Sequence, residues 1–214
     1  MKSPEISIAR EGYPFILFSG FATLILALVS QDAAALAGLA VTCFVTWFFR
    51  DPARIVPADT TALVAPADGK VIRVEEVDDP LFLRDRAIKV SIFMNIFNVH
   101  VNRIPRAGVV ERVSFKPGRF YSADTDKAVL HNEYCALVIR TDSDRIYGVV
   151  QVAGLIARRI VCRAEPGDRV ATGSRYGLIR FGSRVDLYLP PDAEICIRRG
   201  QKTRAGETVL ARLP

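Results

Sequence analysis

Residues 180–190 read RFGSRVDLYLP, and the rest of the chain is most easily read outward from them. An apolar frame of Leu178, Ile179 and Phe181 precedes the Gly182-Ser183 bond. After it, Val185, Leu187 and Leu189 alternate with Arg184, Asp186 and Tyr188. A period of two is the mark of a β-strand with two chemically different faces. Glycine at 182 permits torsions that a Cβ forbids, so a sharp, strained peptide bond is sterically open there. A serine just after it holds its hydroxyl one short reach from the preceding carbonyl carbon. That arrangement allows an N→O acyl shift, the first step of self-cleavage at a Gly-Ser bond.

The same short-strand pattern runs through residues 56–214. ALVAP, GKVIRVEEV, AIKVSIFM, GVVERVSF, CALVIRT, RIYGVVQVAG and RRIVCRA are β-branched runs parted by Gly, Pro and Asp. Regular short strands with turn signals predict a mainly β domain, sandwich or barrel-like. A helical reading fits best only around Ala123–Asn132. EPGDRVATG (165–173) is echoed loosely by RRGQKTRAGETVLARL (198–213), each reading as strand, tight turn, strand. Half-repeats of this kind occur in lipoyl- and biotinyl-type sandwiches. The carrier lysine's usual setting is missing from both hairpins, which argues against a swinging arm.

Residues 1–55 differ in kind. PFILFSGFATLILALVS (14–30) and AAALAGLAVTCFVTWFF (33–49) carry no charge and are joined by Gln31-Asp32. Each run is about 17 residues, or roughly 26 Å as helix, at the short end for a bilayer core of about 30 Å. The doubled run and the lack of a convincing cleavage site argue against a signal peptide. A membrane-associated helical hairpin is expected, either spanning twice or lying in one leaflet; a hairpin buried in a soluble protein is the alternative. Lys2 and Arg10 precede it, Arg50 and Arg54 follow it, and the connecting loop has no basic residue. Both ends, and the domain that follows, are therefore expected on the cytoplasmic face of the cell membrane.

At 214 residues and 50% apolar, the chain can bury one sizeable core. A net charge of +6 points to an anionic partner, and scattered Lys and Arg without an RNA- or DNA-binding signature favour lipid over nucleic acid. Cys43, Cys135, Cys162 and Cys196 lack metal-ligand spacing; they read as reduced, buried small hydrophobes, with no metal site.

A Gly-Ser pair proves little, since roughly one is expected by chance in a chain of this size, and Gly173-Ser174 is a second. That pair follows EPGDRVAT and reads as an ordinary turn. RFGSRVDLYLP, with FMNIFNVHVNRIP upstream and FFRDPAR further back, resembles the short form of the phosphatidylserine decarboxylase proenzyme family. The likeness runs from about Phe48 to the C-terminus in several blocks in the same order. It also chooses between the two pairs, because the family cleaves at the Gly-Ser followed by an apolar strand. Long members carry Leu-Gly-Ser-Thr there, against Phe-Gly-Ser-Arg in this chain.

The resemblance implies a self-processing, pyruvoyl-dependent decarboxylase that turns phosphatidylserine into phosphatidylethanolamine. Ser183 would attack the Gly182 carbonyl, and elimination from the ester would leave a large chain (1–182) and a small one (183–214). Residue 183 becomes a pyruvoyl group, the only cofactor expected, which binds the serine headgroup amine as a Schiff base. His100, in VHVNRIP, matches a functional histidine of the family and would serve processing, decarboxylation or both. In the long members a second histidine follows where this chain has Arg103. Asp68, in PADG, reads as an Asx turn by itself and by resemblance as the partner that orients His100. Arg103, Arg158 and Arg159 are the candidate headgroup cations; a solvated strand end is the alternative for Arg158-Arg159. His131, in LHNEY, reads as a surface residue. Two other readings stay open, a pyruvoyl decarboxylase of a soluble amino acid and a membrane-tethered β-sandwich adaptor without catalysis. Acyl-chain preference and homo-oligomer formation are open.

Overall fold

The computed structural model describes residues 6–79, 81–118, 132–154, 159–180 and 183–213; apart from Asn132, the helix expected around Ala123–Asn132 lies outside them. The chain divides into two compact units, Met1–Ala53 and Arg54–Pro214.

In the first unit, β1 (Ile6–Ile8) pairs antiparallel with β2 (Arg50–Pro52) and closes the base of a helical hairpin. Helix α1 (Tyr13–Leu28) opens on Pro14, whose missing N–H costs nothing in a first turn. It ends before Ser30, which turns the chain at φ 57° into α2 (Asp32–Phe48). The hairpin is inverted relative to a water-soluble one. Phe18, Phe21, Leu24 and Leu28 of α1 and Leu36, Leu39, Val41 and Trp47 of α2 face outward, and no side chain of α1 is buried. The seam holds small and hydroxylated residues instead. Thr23 Oγ1 and Thr42 Oγ1 lie 3.2 Å apart, and a Cβ on Gly38 would come within 2.7 Å of Thr23 Oγ1. Small residues inside and apolar ones outside is how helices pack in lipid. The helical stretch Arg10–Leu28 (19 residues) is long and apolar enough to cross a bilayer, and α2 is shorter.

The second unit is mainly β, and 44% of the described residues are strand and 19% helix. Its strands are β3 (Ala62–Val64), β4 (Gly69–Asp79), β5 (Asp85–Met94), β6 (Val101–Arg103), β7 (Gly108–Lys116), β8 (Tyr134–Arg140), β9 (Ile146–Ala153), β10 (Ile160–Cys162), β11 (Arg169–Val170), β12 (Arg175–Ile179), β13 (Ser183–Leu189), β14 (Glu194–Ile195), β15 (Lys202–Thr203) and β16 (Val209–Arg212). A curled sheet runs β11-β7-β8-β9-β13-β5-β4-β15, and two small sheets run β10-β12-β6 and β14-β16-β3.

That order is the same from either end, the halves meeting at the antiparallel pair β9–β13. Backbone bonds repeat the symmetry. The Val64 N–H donates to the Pro105 carbonyl and the Arg103 N–H to the Pro66 carbonyl, both at 2.9 Å. Gly167 donates to Val110 at 2.7 Å, and Gly200 to Val71 at 2.8 Å. Gly167 and Gly173 in one hairpin, Gly200 and Gly206 in the other, hold φ of 93°, 74°, 94° and 79°. The echo between 165–173 and 198–213 is thus one part of an internal two-fold repeat. Pro66-Ala67-Asp68-Gly69 corresponds to Pro105-Arg106-Ala107-Gly108, so the aspartate exists in one half alone.

Gly69 and Gly108 occupy equivalent crowded positions. A Cβ would sit 2.2 Å from the Phe93 carbonyl at the first and 2.2 Å from the Arg140 carbonyl at the second. Backbone cannot yield as a side-chain tip can. Gly69→Ala is expected to lower unfolding stability by about 2–3 kcal/mol, read as a lower denaturation midpoint; an unchanged midpoint would mean the strands part freely there.

Strand β13 is buried along all 7 residues. Val185, Leu187 and Leu189 face a core shared with Val90, Ile92, Leu137, Val149, Leu63 and Ile104. Tyr188, on the other face, packs with Phe82, Tyr134, Val150 and Val152.

Candidate active site

Ser183 is the first residue of β13, with Met94 of β5 and Ala153 of β9 as its cross-strand partners. It has no exposed surface. Its Oγ donates to Met94 Sδ at 3.5 Å, a weak acceptor that holds the hydroxyl without competing strongly for it. By contrast, Gly173-Ser174 is the turn that its sequence predicts. The Ser174 N–H and Oγ both reach the Ala171 carbonyl, at 3.1 and 2.6 Å.

His100 stands just before β6 and is 2% exposed. Its carbonyl accepts from the Ile179 N–H at 3.4 Å, so it flanks the segment that leaves β12 and re-enters at Ser183. His100 Nδ1 lies 2.9 Å from the Asn98 carbonyl. A bond there needs the proton on Nδ1, which leaves Nε2 as the basic nitrogen of the neutral ring. Gly182 and Arg158 lie outside the described residues, as does His131.

Two residues that sequence reasoning passed over join this region. Asn102 Nδ2 reaches Met94 Sδ at 3.8 Å, the sulfur that also takes the Ser183 hydroxyl. Gln151 Nε2 donates to Asn102 Oδ1 at 2.8 Å, and both side chains are fully buried. Their signal was a polar side chain on the apolar face of a strand, as in the run VVQVAG. Next to Ser183's partner Ala153, Asn132 Nδ2 holds the Ala153 carbonyl at 2.7 Å.

Asp68 is held elsewhere. Arg54 Nη2 binds both its oxygens, at 3.0 and 2.8 Å, and the Ala205 N–H adds a bond at 2.8 Å. Arg103 is buried and donates to the Gly173 carbonyl at 3.0 Å. Arg159 is exposed just before β10, and its carbonyl accepts from the Arg180 N–H at 3.2 Å.

The cysteines only partly follow expectation, for Cys43 and Cys196 are exposed. Cys135 is buried and faces Gln151 across the β8–β9 pair. A hydrogen bond between the Cys135 and Cys162 thiols lowers the Cys162 pKa to about 7 and, with burial, raises that of Cys135. Burial likewise raises the Tyr176 phenol nearby.

The phosphatidylserine decarboxylase family matches residues 41–211. A phosphatidylserine decarboxylase proenzyme of Desulfotalea psychrophila is 51% identical over 213 residues, covering 100% of both chains. That of Geobacter sulfurreducens is 51% identical over 219 residues, again covering 100% of both. That of Geotalea uraniireducens is 48% identical over 214 residues and 100% of both. Full-length likeness at this level, on a β fold that holds a buried Gly-Ser serine at the head of its central strand, leaves one assignment: the chain belongs to the phosphatidylserine decarboxylase family.

Proposed function

We propose that this chain is a membrane-bound proenzyme that cuts itself between Gly182 and Ser183, converts residue 183 to a pyruvoyl group and decarboxylates phosphatidylserine to phosphatidylethanolamine. The observation that carries the reading is the place of Ser183. It is the first residue of a strand paired on both sides over its length, so a cut before it leaves the new terminus fixed. The small chain, 183–214, also supplies β15 to β4 and β16 to β3; it stays bound to the large chain without a peptide link.

In processing, the Ser183 hydroxyl loses its proton to a base and its oxygen attacks the Gly182 carbonyl carbon. The C–N bond breaks and an ester forms. Loss of the Ser183 α-proton then expels the Gly182 carboxylate, and water releases ammonia from the dehydroalanine that remains. His100 Nε2 is the base we assign, its ring oriented through Nδ1 by the Asn98 carbonyl. Asp68, its carboxylate held by Arg54 and the Ala205 N–H, is given no step in this scheme.

The fit of a pyruvoyl group to this position rests on the same pairing and on the water-poor surroundings of Met94, Asn102 and Gln151. Such a group supplies a ketone that captures the headgroup amine and takes up the electron pair released with carbon dioxide. His100 then holds or returns the proton at the carbon that lost carbon dioxide. Arg159 offers a cation for the lipid phosphate. The lipid-facing hairpin supports a bilayer substrate, and its basic flanks support the cytoplasmic face.

Intact mass under denaturing conditions tests the reading. Two chains meeting at 182/183, the smaller starting with pyruvoyl in place of serine, are expected. A single uncut chain from native membranes would leave a tethered β-sandwich in its stead. His100→Ala is expected to fold normally yet slow processing or turnover by about a hundredfold or more, followed by the rate of chain cleavage and of carbon dioxide release. Wild-type rates in both would remove His100 from the mechanism.

A further inference from the structure

The segment that joins β5 to β6 spans residues 95–100. It leaves Met94, the cross-strand partner of Ser183, and reaches His100 after the tight turn Asn95-Ile96-Phe97-Asn98. Phe97, at its tip, is 63% exposed. A single exposed phenylalanine is unremarkable in itself; the backbone beneath it is what sets this one apart. The Asn95 N–H donates to Asn98 Oδ1 at 2.9 Å, the Phe97 N–H to Asn95 Oδ1 at 2.9 Å and the Asn98 N–H to the Asn95 carbonyl at 3.1 Å. The turn satisfies these amides internally, two of them through the asparagine side-chain oxygens. A loop normally stays out of lipid because its bare amides need water; this one is relieved of much of that cost.

Charge lies at the same end of the domain. Ile160 pairs with Ile179, and Leu178 with Val101, so Arg159, Arg180 and His100 all stand just beyond the shared edge of β10, β12 and β6. Arg159 is exposed and Arg180 half-buried. An apolar tip flanked by guanidinium groups suits the boundary of an anionic bilayer, where the ring enters the interface and the arginines meet phosphates.

Building on the function proposed above, we propose that the Asn95–Asn98 turn is a lipid-contact tip. Phe97 enters the interfacial layer of an anionic membrane and sets the Ser183 end of the domain against the headgroups, independently of the N-terminal anchor. The test uses the full chain reconstituted in bilayers, wild type against Phe97→Ala. On vesicles of long-chain phosphatidylserine in phosphatidylcholine, the variant is expected to lose about tenfold in kcat/KM, mostly through KM, the effect of withdrawing part of a phenylalanine from an apolar phase. Self-cleavage, and turnover of short-chain phosphatidylserine dispersed as monomers, are expected unchanged. Equal losses on both substrates, or no loss on vesicles, would overturn the tip. A second measurement needs no activity: Phe97→Trp in a Trp47→Phe background should be quenched by brominated lipid, and absence of quenching would also overturn it. A wild-type chain inactive on both substrates would sink the decarboxylase reading, while the quenching still decides the tip.

Discussion

Ser183→Ala is expected to yield a single uncut chain of 23.6 kDa and decarboxylase activity at background. In the scheme proposed above, losing the hydroxyl removes both the nucleophile for the Gly182 carbonyl and the atom whose elimination creates the ketone, so neither stage retains a slower route. The fold should hardly register the change. The Oγ gives up a weak bond to a methionine sulfur at 3.5 Å, and alanine fills nearly the same space in the strand. The stability cost is therefore about 1 kcal/mol or less. Ser174→Ala is the matching control, since it removes a turn hydroxyl bonded to the Ala171 carbonyl. It should leave cleavage and turnover intact. Intact mass and carbon dioxide release on the two variants separate the Gly-Ser pairs; cleavage persisting in Ser183→Ala, or lost in Ser174→Ala, would reverse the assignment.

What could be read beforehand follows from what is local. The alternation of Val185, Leu187 and Leu189 with Arg184, Asp186 and Tyr188 names the faces of β13 correctly, because strand periodicity depends on neighbours alone. It does not say whether the second face meets water, and here that face is buried too. The tail hairpins announce themselves through their glycines at equivalent turns. The other half of the repeat, PADG against PRAG, is nearly invisible because a proline and a glycine are the matching residues. Inside the hairpin, the outward leucines and phenylalanines follow from composition. The Thr23–Thr42 contact depends on how two helices meet and could not. Side-chain pairing across long separations is equally hidden: Asp68 is bound by Arg54 and the Ala205 N–H, and Arg103 by the Gly173 carbonyl. Neither choice is written in the neighbours of those residues. Gln151 and Asn102 escaped notice because a polar residue in an apolar run looks like a break in the pattern until its partner is seen.

The largest expected loss of stability comes from Arg184 and Asp186, one and three positions beyond Ser183. Arg184 Nε lies 2.9 Å from Asp186 Oδ1, with side chains 1% and 0% exposed, and Arg184 Nη2 donates to Asp186 Oδ2 at 3.0 Å. Both side chains share the buried face of β13 with Tyr188, and the partners across from Asp186 are Ser91 and Val150. Water has no ready access, so removing one partner takes a buried counter-charge from the other. Asp186→Ala should cost about 3–5 kcal/mol for this reason. For a chain of this length that corresponds to a Tm about 10 °C lower, measured by thermal unfolding of Ser183→Ala chains in detergent so that processing does not intervene. Arg184→Ala should cost a similar amount. Replacing both, as Arg184→Met with Asp186→Leu, should lose much less than the sum, because no charge is left unpaired and the volume is largely kept. The expected pattern is two severe single variants and a mild double. If the losses add, the two groups do not act as a pair, and the stability of this face rests on packing around Phe82, Tyr134 and Tyr188.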